Sequence, residues 1–366
     1  MTSRTCFLHI GLPKTGTSYL QSILRQSRPA LAAQGLGLLP SRKGSPFHLV
    51  LAVRDELSAE MDPPQAFAAL DDFRAEAAAA GWDRTLVTQE LLGAAEPDQI
   101  AVLLDALPGY ESHVVVTVRD LASFLPSAWQ QHVKARGVLP FQEYLDRFAA
   151  SDEEIPHPAY HLHRVLDRWD ARVPPDRMHI VVVPKRGTPE TVLLDRFCAV
   201  LGVDTRTLDT RAPVSNASLG LVQAELLRRV NVELGDRLPH PRAGYREQGK
   251  VFLGESILSP QRGDIAKLPR RMAEWCDQAS QSMIARLEGS GYDVVGDLSD
   301  LVPDSSAFTD SLDVSEGEIA AAAASALATV LARRSEDAAE LERLRARLRS
   351  QRRRARQAPS GQARTS

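Results

Sequence analysis

Cysteine is scarce. The 366 residues contain three, Cys6, Cys198 and Cys276, at no spacing that suits a metal. An odd, sparse set excludes a disulfide-stapled scaffold and fits a reducing compartment. Long apolar runs are missing as well. No window approaches the ~18 consecutive apolar residues that a membrane-crossing helix needs. The N-terminal segment MTSRTCFLHIGLPKTG breaks at Gly, Pro and Lys before it reaches the length of a secretory-signal core. These absences lead to the expectation of a soluble, cytoplasmic protein without a transmembrane segment. Nor is there an overall basic excess: 44 Lys and Arg stand against 47 Asp and Glu, a net charge of −3. The charge is unevenly placed, however. From Arg333 to Ser366 there are 11 Arg and 4 acids, a local +7, which leaves the other 332 residues at −10. That basic tail contains no aromatic residue on which a base would stack, so no nucleic-acid partner is expected.

What is present reads as alternating strands and helices. Cys6 to Ile10 is a short apolar strand, followed by a Gly-bearing turn and a helix from Thr17 to Gln26. Further strands are expected at Leu36 to Leu39, Thr85 to Thr88, Val114 to Val118 and Ile180 to Val183. Helices are expected at Pro64 to Ala80, Pro97 to Leu107, Tyr160 to Asp170, Glu190 to Leu201, Leu219 to Leu234 and Arg262 to Leu287. The run VVVTV at Val114–Val118 lacks polar alternation, as a central parallel strand covered on both faces does. The order implies an α/β domain with a central parallel sheet. The stretch from Gly235 to Pro260 is polar and rich in Gly and Pro, and reads as a lid or an irregular substrate wall. Residues 301–315 read as a linker, 316–357 as a long, Arg-rich helix with a narrow leucine stripe, and 358–366 as a disordered tail.

The first turn carries the chemistry. Gly11 to Ser18 is GLPKTGTS, between a strand and a helix. Ligands of parallel sheets sit beyond the C-terminal strand ends. A Gly-bearing loop there lets backbone N–H groups approach an anion, and the helix start adds positive potential. Lys14 supplies a cation, and Thr15, Thr17 and Ser18 supply hydroxyls. A triphosphatase loop reads GxxxxGK[ST]. Gly11 and Gly16 have that spacing, but Thr17 holds the Lys slot and the Lys lies two residues before Gly16. No strand ends in an Asp suited to Mg²⁺; the central strand ends in Arg119.

GLPKTGTS resembles the 5′-phosphosulfate-binding loop of the sulfotransferases that use 3′-phosphoadenosine 5′-phosphosulfate (PAPS). Their pattern is Pro-Lys-[Ser/Thr]-Gly-Thr-[Ser/Thr] after the first strand. Their second signature is an Arg closing a later strand with a Ser eight residues on. Arg119 and Ser127 have that offset. Leu121 stands where the family usually has Pro. The likeness continues more weakly through His163 to Val183 and through RAPVSNASL at Arg211 to Leu219. It spans roughly Thr5 to Leu234, with residues 1–300 as the catalytic domain.

The resemblance implies a three-layer P-loop-like fold and a PAPS cofactor bound by Lys14, Thr15, Gly16, Thr17, Ser18, Arg119 and Ser127. Lys14 would neutralise the leaving phosphate, and Arg119 with Ser127 would hold the 3′-phosphate. Pro126 suggests that a helix starts near it, which would give Ser127 a free N–H. No metal is required in this scheme. The acceptor would need a base, worth ~10²–10⁴ in rate. Glu90, directly after the strand TLVT, is the candidate; His48 and His9 are rivals, His9 reading more simply as a packed core histidine. Asn216 and Ser218 would brace the cofactor or cap the helix near Leu219. Arg242, Arg246 and Lys250 would approach an anion or form a solvated loop. Gln130, Gln131 and Lys134 extend toward the acceptor, and Trp129 reads as core. The acceptor is an unidentified small molecule, carbohydrate or lipid. The C-terminal helix offers a stripe for self-association. Two alternatives stay open: a P-loop kinase, and a non-catalytic nucleotide-binding module.

Overall fold

Val114, Val115, Val116, Thr117 and Val118 are all fully buried. Burying both faces of one strand requires a layer on each side, and the two cores divide the residues by parity. Leu8, Ile10, Val114, Val116, Ile180 and Val182 face one core. Phe7, Leu86, Val115 and Val181 face the other. This is the two-residue period of a pleated strand. Each such side chain contributes about 1.5–3 kcal/mol relative to exposure.

The computed structural model describes residues 4–41, 45–150, 157–211, 218–238 and 241–357. In chain order, β1 (Arg4–Gly11) leads through the Gly-bearing loop to α1 (Thr17–Gln26), α2 (Arg28–Ala33) and β2 (Leu36–Leu39). Next come α3 (Ser45–Val53), α4 (Ala69–Ala79), β3 (Arg84–Thr88), α5 (Pro97–Asp105) and β4 (Tyr110–Val118). Then α6 (Leu121–Lys134), α7 (Phe141–Ala150), α8 (Leu162–Asp170), β5 (Met178–Val182), α9 (Thr191–Leu201) and α10 (Leu221–Leu234) follow. A π-helical segment, Pro241–Leu258, precedes β6 (Leu268–Pro269), α11 (Ala273–Gly289), β7 (Asp293–Val295), β8 (Phe308–Thr309) and α12 (Glu316–Gln357).

The main sheet has six strands in the order β2-β3-β1-β4-β5-β7, all parallel. Helices cover both faces, so the architecture is three-layer α/β. From β1 the chain turns toward β2; from β4 it turns the other way, toward β5. The crevice between β1 and β4 is therefore the switch point, where open α/β sheets bind ligands. The 12–16 loop and Arg119 both lie there. No helix among the described residues is long and apolar enough to cross a membrane.

Four expectations need correction. First, α6 begins at Leu121, not near Pro126. Asp120 caps it, its carboxylate accepting from the Ser123 N–H at 2.8 Å. Pro126 lies inside the helix, so Ser127 sits on its second turn and has no helix-start N–H to offer. Second, the Gly- and Pro-rich stretch is helical over Pro241–Leu258, held by Tyr245, whose hydroxyl donates to Asn231 Oδ1 at 2.6 Å. Third, residues 301–315 are tied to the body. Leu301 and Phe308 are buried, β8 pairs with β6, and Arg270 bridges Asp310 at 2.5 Å. Fourth, α11 starts at Ala273, not Arg262. The tail 358–366 lies outside the described residues.

The start of α12 also packs on the body. Ile319, Ala322 and Ala326 are buried, Arg229 meets Glu316 at 2.8 Å, and Arg333 donates to the Ser256 carbonyl at 3.1 Å. Beyond Arg333 its leucines, Leu341, Leu344 and Leu348, are exposed.

Candidate active site

The loop after β1 is built from both sides. Its backbone is anchored to β4: Leu12 N–H donates to Thr117 O at 2.9 Å, and Thr117 Oγ1 donates to Gly11 O at 3.0 Å. Gly16 takes φ +90°, and a Cβ there would meet Leu193 Cδ2 at 2.5 Å. Lys14 itself sits at φ 66°, a left-handed conformation that costs a non-glycine residue about 1–2 kcal/mol. Gly16 caps α1 with no side-chain hydrogen bond, so the first N–H groups of the helix lack a side-chain partner. Thr17 is buried in that first turn and Ser18 is exposed at its mouth.

Thr15 corrects the expectation of a hydroxyl ligand. Its Oγ1 turns inward, donating to Leu12 O at 2.5 Å and meeting Thr117 Oγ1 at 2.5 Å. It braces the loop instead of lining its mouth.

Positive charge converges on Lys14. Arg119 donates through Nη1 to the Lys14 carbonyl at 3.3 Å. Its Nε lies 4.0 Å from Asp120, the outer limit of an ion pair. Burial pushes the Lys14 ammonium down to about 8; nearby Lys134, Lys250 and Arg119 push the same way, while Glu90 opposes them. Lys134, at the end of α6, is buried and lowered too, first by desolvation and then by Lys250, against the pull of Glu255. Lys134, Lys250 and Arg119 thus lie within electrostatic range of Lys14 and outnumber the single carboxylate, Glu90, that acts on it, which favours an anionic occupant.

Glu90 follows β3 at the same sheet edge. Gln89 N–H donates to His9 O at 3.0 Å, which fixes the turn against β1. The Glu90 carboxylate accepts from Gln21 Nε2 at 3.1 Å. Gln21 also donates to Thr88 Oγ1 at 3.3 Å and accepts from Arg25 at 2.9 Å. Sequence reasoning missed Gln21, although its place one turn beyond Thr17 puts it on the same face of α1.

His9 continues the chain. It is fully buried, and desolvation lowers its imidazole to about 3, so it is neutral. Its Nδ1 lies 2.8 Å from Thr88 Oγ1 and its Nε2 3.3 Å from Thr117 Oγ1. One assignment is consistent throughout. Gln21 donates to Thr88, the Thr88 hydroxyl donates to Nδ1, and Nε2–H donates to Thr117. A hydrogen-bonded path therefore runs from Glu90 through Gln21, Thr88 and His9 to Thr117 and the Gly11 carbonyl, with Thr15, which donates to the Leu12 carbonyl, lying against its end. His9 is a core residue, as expected, but a polar connector within it. His9→Phe would take one hydrogen bond from each of the Thr88 and Thr117 hydroxyls, which keep Gln21 and the Gly11 carbonyl as partners. It should lower stability by about 1–3 kcal/mol, read as a shift in the urea midpoint with an unchanged slope.

The other candidates separate. His48, on α3, stacks obliquely on Phe47 with centroids 6.0 Å apart. Among the described residues no hydrogen bond or ion pair joins it to Glu90 or the loop. Ser127 is half-buried on α6 without a hydrogen bond to the loop. Trp129 is core, its Nε1 donating to Leu139 O at 2.9 Å. Gln130 clamps the Leu219 backbone through both amide atoms, at 2.9 and 3.1 Å. Ser218 is exposed and Gly220 caps α10, so Ser218 is not that helix's cap. Arg246 is exposed and pairs with Glu247 at 3.1 Å. Asn216 and the side chain of Arg242 lie outside the described part of the structure. Among the described residues, no group of three His, Cys, Asp or Glu stands close enough to hold a metal ion.

Comparison of the chain with known families, with curated proteins and with solved structures finds no match.

Proposed function

We propose that the chain is a sulfotransferase that moves a sulfuryl group from PAPS to an acceptor hydroxyl. One observation carries this reading. The Arg119 guanidinium reaches the backbone of the residue that presents the Lys14 ammonium, so two anion grips on neighbouring strand ends share one crevice. A ligand with two separate phosphates answers that arrangement, and a singly phosphorylated one does not use it. Loop, uncapped helix start and Lys14 take the 5′ side; Arg119 takes the 3′-phosphate, joined by the Ser127 hydroxyl where the nucleotide reaches α6.

In the transfer, the acceptor oxygen forms a new bond to sulfur as the bond from sulfur to the 5′-phosphate oxygen breaks. The hydroxyl proton passes to the Glu90 carboxylate, held by Gln21. The electron pair of the broken bond stays on the phosphate oxygen, where Lys14 offsets the growing charge. Products are a sulfate ester and adenosine 3′,5′-bisphosphate. Glu90 is preferred over His48 because it is braced against α1 beside the loop and His48 has no such link.

Calorimetric titration with adenosine 3′,5′-bisphosphate beside ATP–Mg²⁺ tests the class. Tight binding of the first alone supports the reading; the reverse would turn it into the kinase alternative. The pH profile adds a sign. Burial lowers Lys14 to about 8, and a bound phosphate favours its charged form and raises it again. Affinity should be level below pH 8 and fall about tenfold per unit above it. At pH 9 binding should take up a proton, seen as a dependence of heat on buffer ionisation enthalpy. Without ligand the sign reverses. The unfolded chain holds this proton up to about 10.5, so Lys14 adds stability as pH rises from about 8 toward that value.

A further inference from the structure

A cavity of about 450 Å³ opens against the same crevice. One end is made by Leu12, two residues before Lys14, and by Arg119. The rest combines aliphatic side chains with four large aromatic rings. Phe124 and Tyr160 meet edge to face at 5.5 Å and 88°, and Phe148 and Trp275 at 6.2 Å and 89°. Four rings locked against each other form a wall whose shape exists before any ligand arrives. Tyr160 belongs to the turn Pro158–Tyr160, which packs on the turn Glu90–Ala94; Glu90 is not part of the cavity wall but lies within electrostatic range of the Tyr160 hydroxyl.

The polar part of the lining is as telling as the apolar part. Among the described residues it consists of Arg119, Tyr160, His161, His163 and Ser282, with no carboxylate and no carboxamide. A sugar presents a ring of hydroxyls, and any that these five side chains leave unpaired would lose its water here. That costs about 1–3 kcal/mol per unpaired group. A flat or bulky apolar body loses nothing of the kind and gains the buried area.

We infer that this cavity is the acceptor site and that it takes an uncharged, largely apolar alcohol or phenol, with its hydroxyl directed toward Glu90 and Lys14. This rests on the sulfuryl-transfer reading. The acceptor oxygen gains the sulfuryl group, Glu90 gains the proton, and the 5′-phosphate leaves with its electron pair.

The probe is 2-naphthol, a fluorescent aromatic alcohol that the cavity volume accommodates, against N-acetylglucosamine. Each is titrated into the full chain with and without saturating adenosine 3′,5′-bisphosphate. Naphthol should bind in both cases and the sugar in neither. Ala279, on the half-exposed face of α11 that lines the cavity, can be enlarged there without disturbing the sheet. Ala279→Trp should weaken naphthol at least about tenfold and leave adenosine 3′,5′-bisphosphate within about twofold. Met283→Ala, which widens the cavity, should change naphthol affinity and not nucleotide affinity. Sugar binding in place of naphthol overturns the proposal, and so does naphthol binding untouched by both variants. Mutual exclusion of naphthol and nucleotide also overturns it, by placing the adenosine in the cavity. Naphthol binding that Ala279→Trp removes, with no nucleotide binding at all, would keep the apolar site and sink the transfer reading instead.

Discussion

Lys14→Ala is expected to slow sulfuryl transfer by about 10²–10³-fold, because it removes the cation beside the oxygen on which charge grows. The loss should be larger in turnover than in affinity for adenosine 3′,5′-bisphosphate. The product already carries its charge, and Lys134, Lys250 and Arg119 remain to attract it. Single-turnover measurement with 2-naphthol as acceptor separates the two. Lys14→Arg is an informative companion. It keeps the charge but brings a planar, longer head into a mouth whose backbone stands at φ 66°. If Lys14→Ala transferred at the normal rate, the loop would be a structural turn and the mechanism would fail. The fold itself should survive, since Lys14 is half-exposed and burial disfavours its charged form.

Arg119→Lys should weaken adenosine 3′,5′-bisphosphate by about 10–100-fold and leave adenosine 5′-phosphate nearly unchanged. The guanidinium offers two parallel donors to one phosphate, and an ammonium offers a single point of charge. The second ligand matters because Arg119 also braces the loop through the Lys14 carbonyl. Equal weakening of both ligands would show that the bracing contact is what the substitution removed. A selective loss would assign Arg119 to the 3′-phosphate. Competition titration at fixed salt distinguishes these outcomes.

The parts of this fold that were legible share a cause. Strands buried on both faces write themselves as unbroken apolar runs, so β1, β4 and β5 stood out. The loop was legible because a backbone that must turn sharply and approach an anion admits few residue types at Gly11, Lys14, Gly16 and Thr17. Regions that depend on distant partners did not stand out. β7 has three residues, and its pairing with β5 is a tertiary event. Pro126 suggested a helix start by a local rule, but the Asp120 cap lies six residues earlier and decides it. The 241–258 stretch looked irregular by composition, and the buried Tyr245 contact with Asn231 draws it into a helix. At the site, Lys14 could be named from the loop motif that holds it, and Glu90 and Arg119 because each stands just past the end of a strand. Gln21 could not, since its role is set by a carboxylate 69 residues away. Thr15 was named for its hydroxyl, and only the position of Thr117 shows that the hydroxyl points inward.

The helix that leaves the body at Arg333 runs another 24 residues, a rod of about 36 Å at 1.5 Å per residue. Along it Arg334 is outnumbered by Glu336, Asp337, Glu340 and Glu342, and the Arg cluster starts at Arg343, about 15 Å beyond Arg333 at 1.5 Å per residue. Counter-ions at 0.1 M salt damp electric fields within about 10 Å, well short of that rod. In ordinary buffer the two ends are therefore electrically independent bodies joined mechanically. Only in dilute buffer does the chain become a single large dipole, with its orientation and its attraction to neighbours set by the whole molecule.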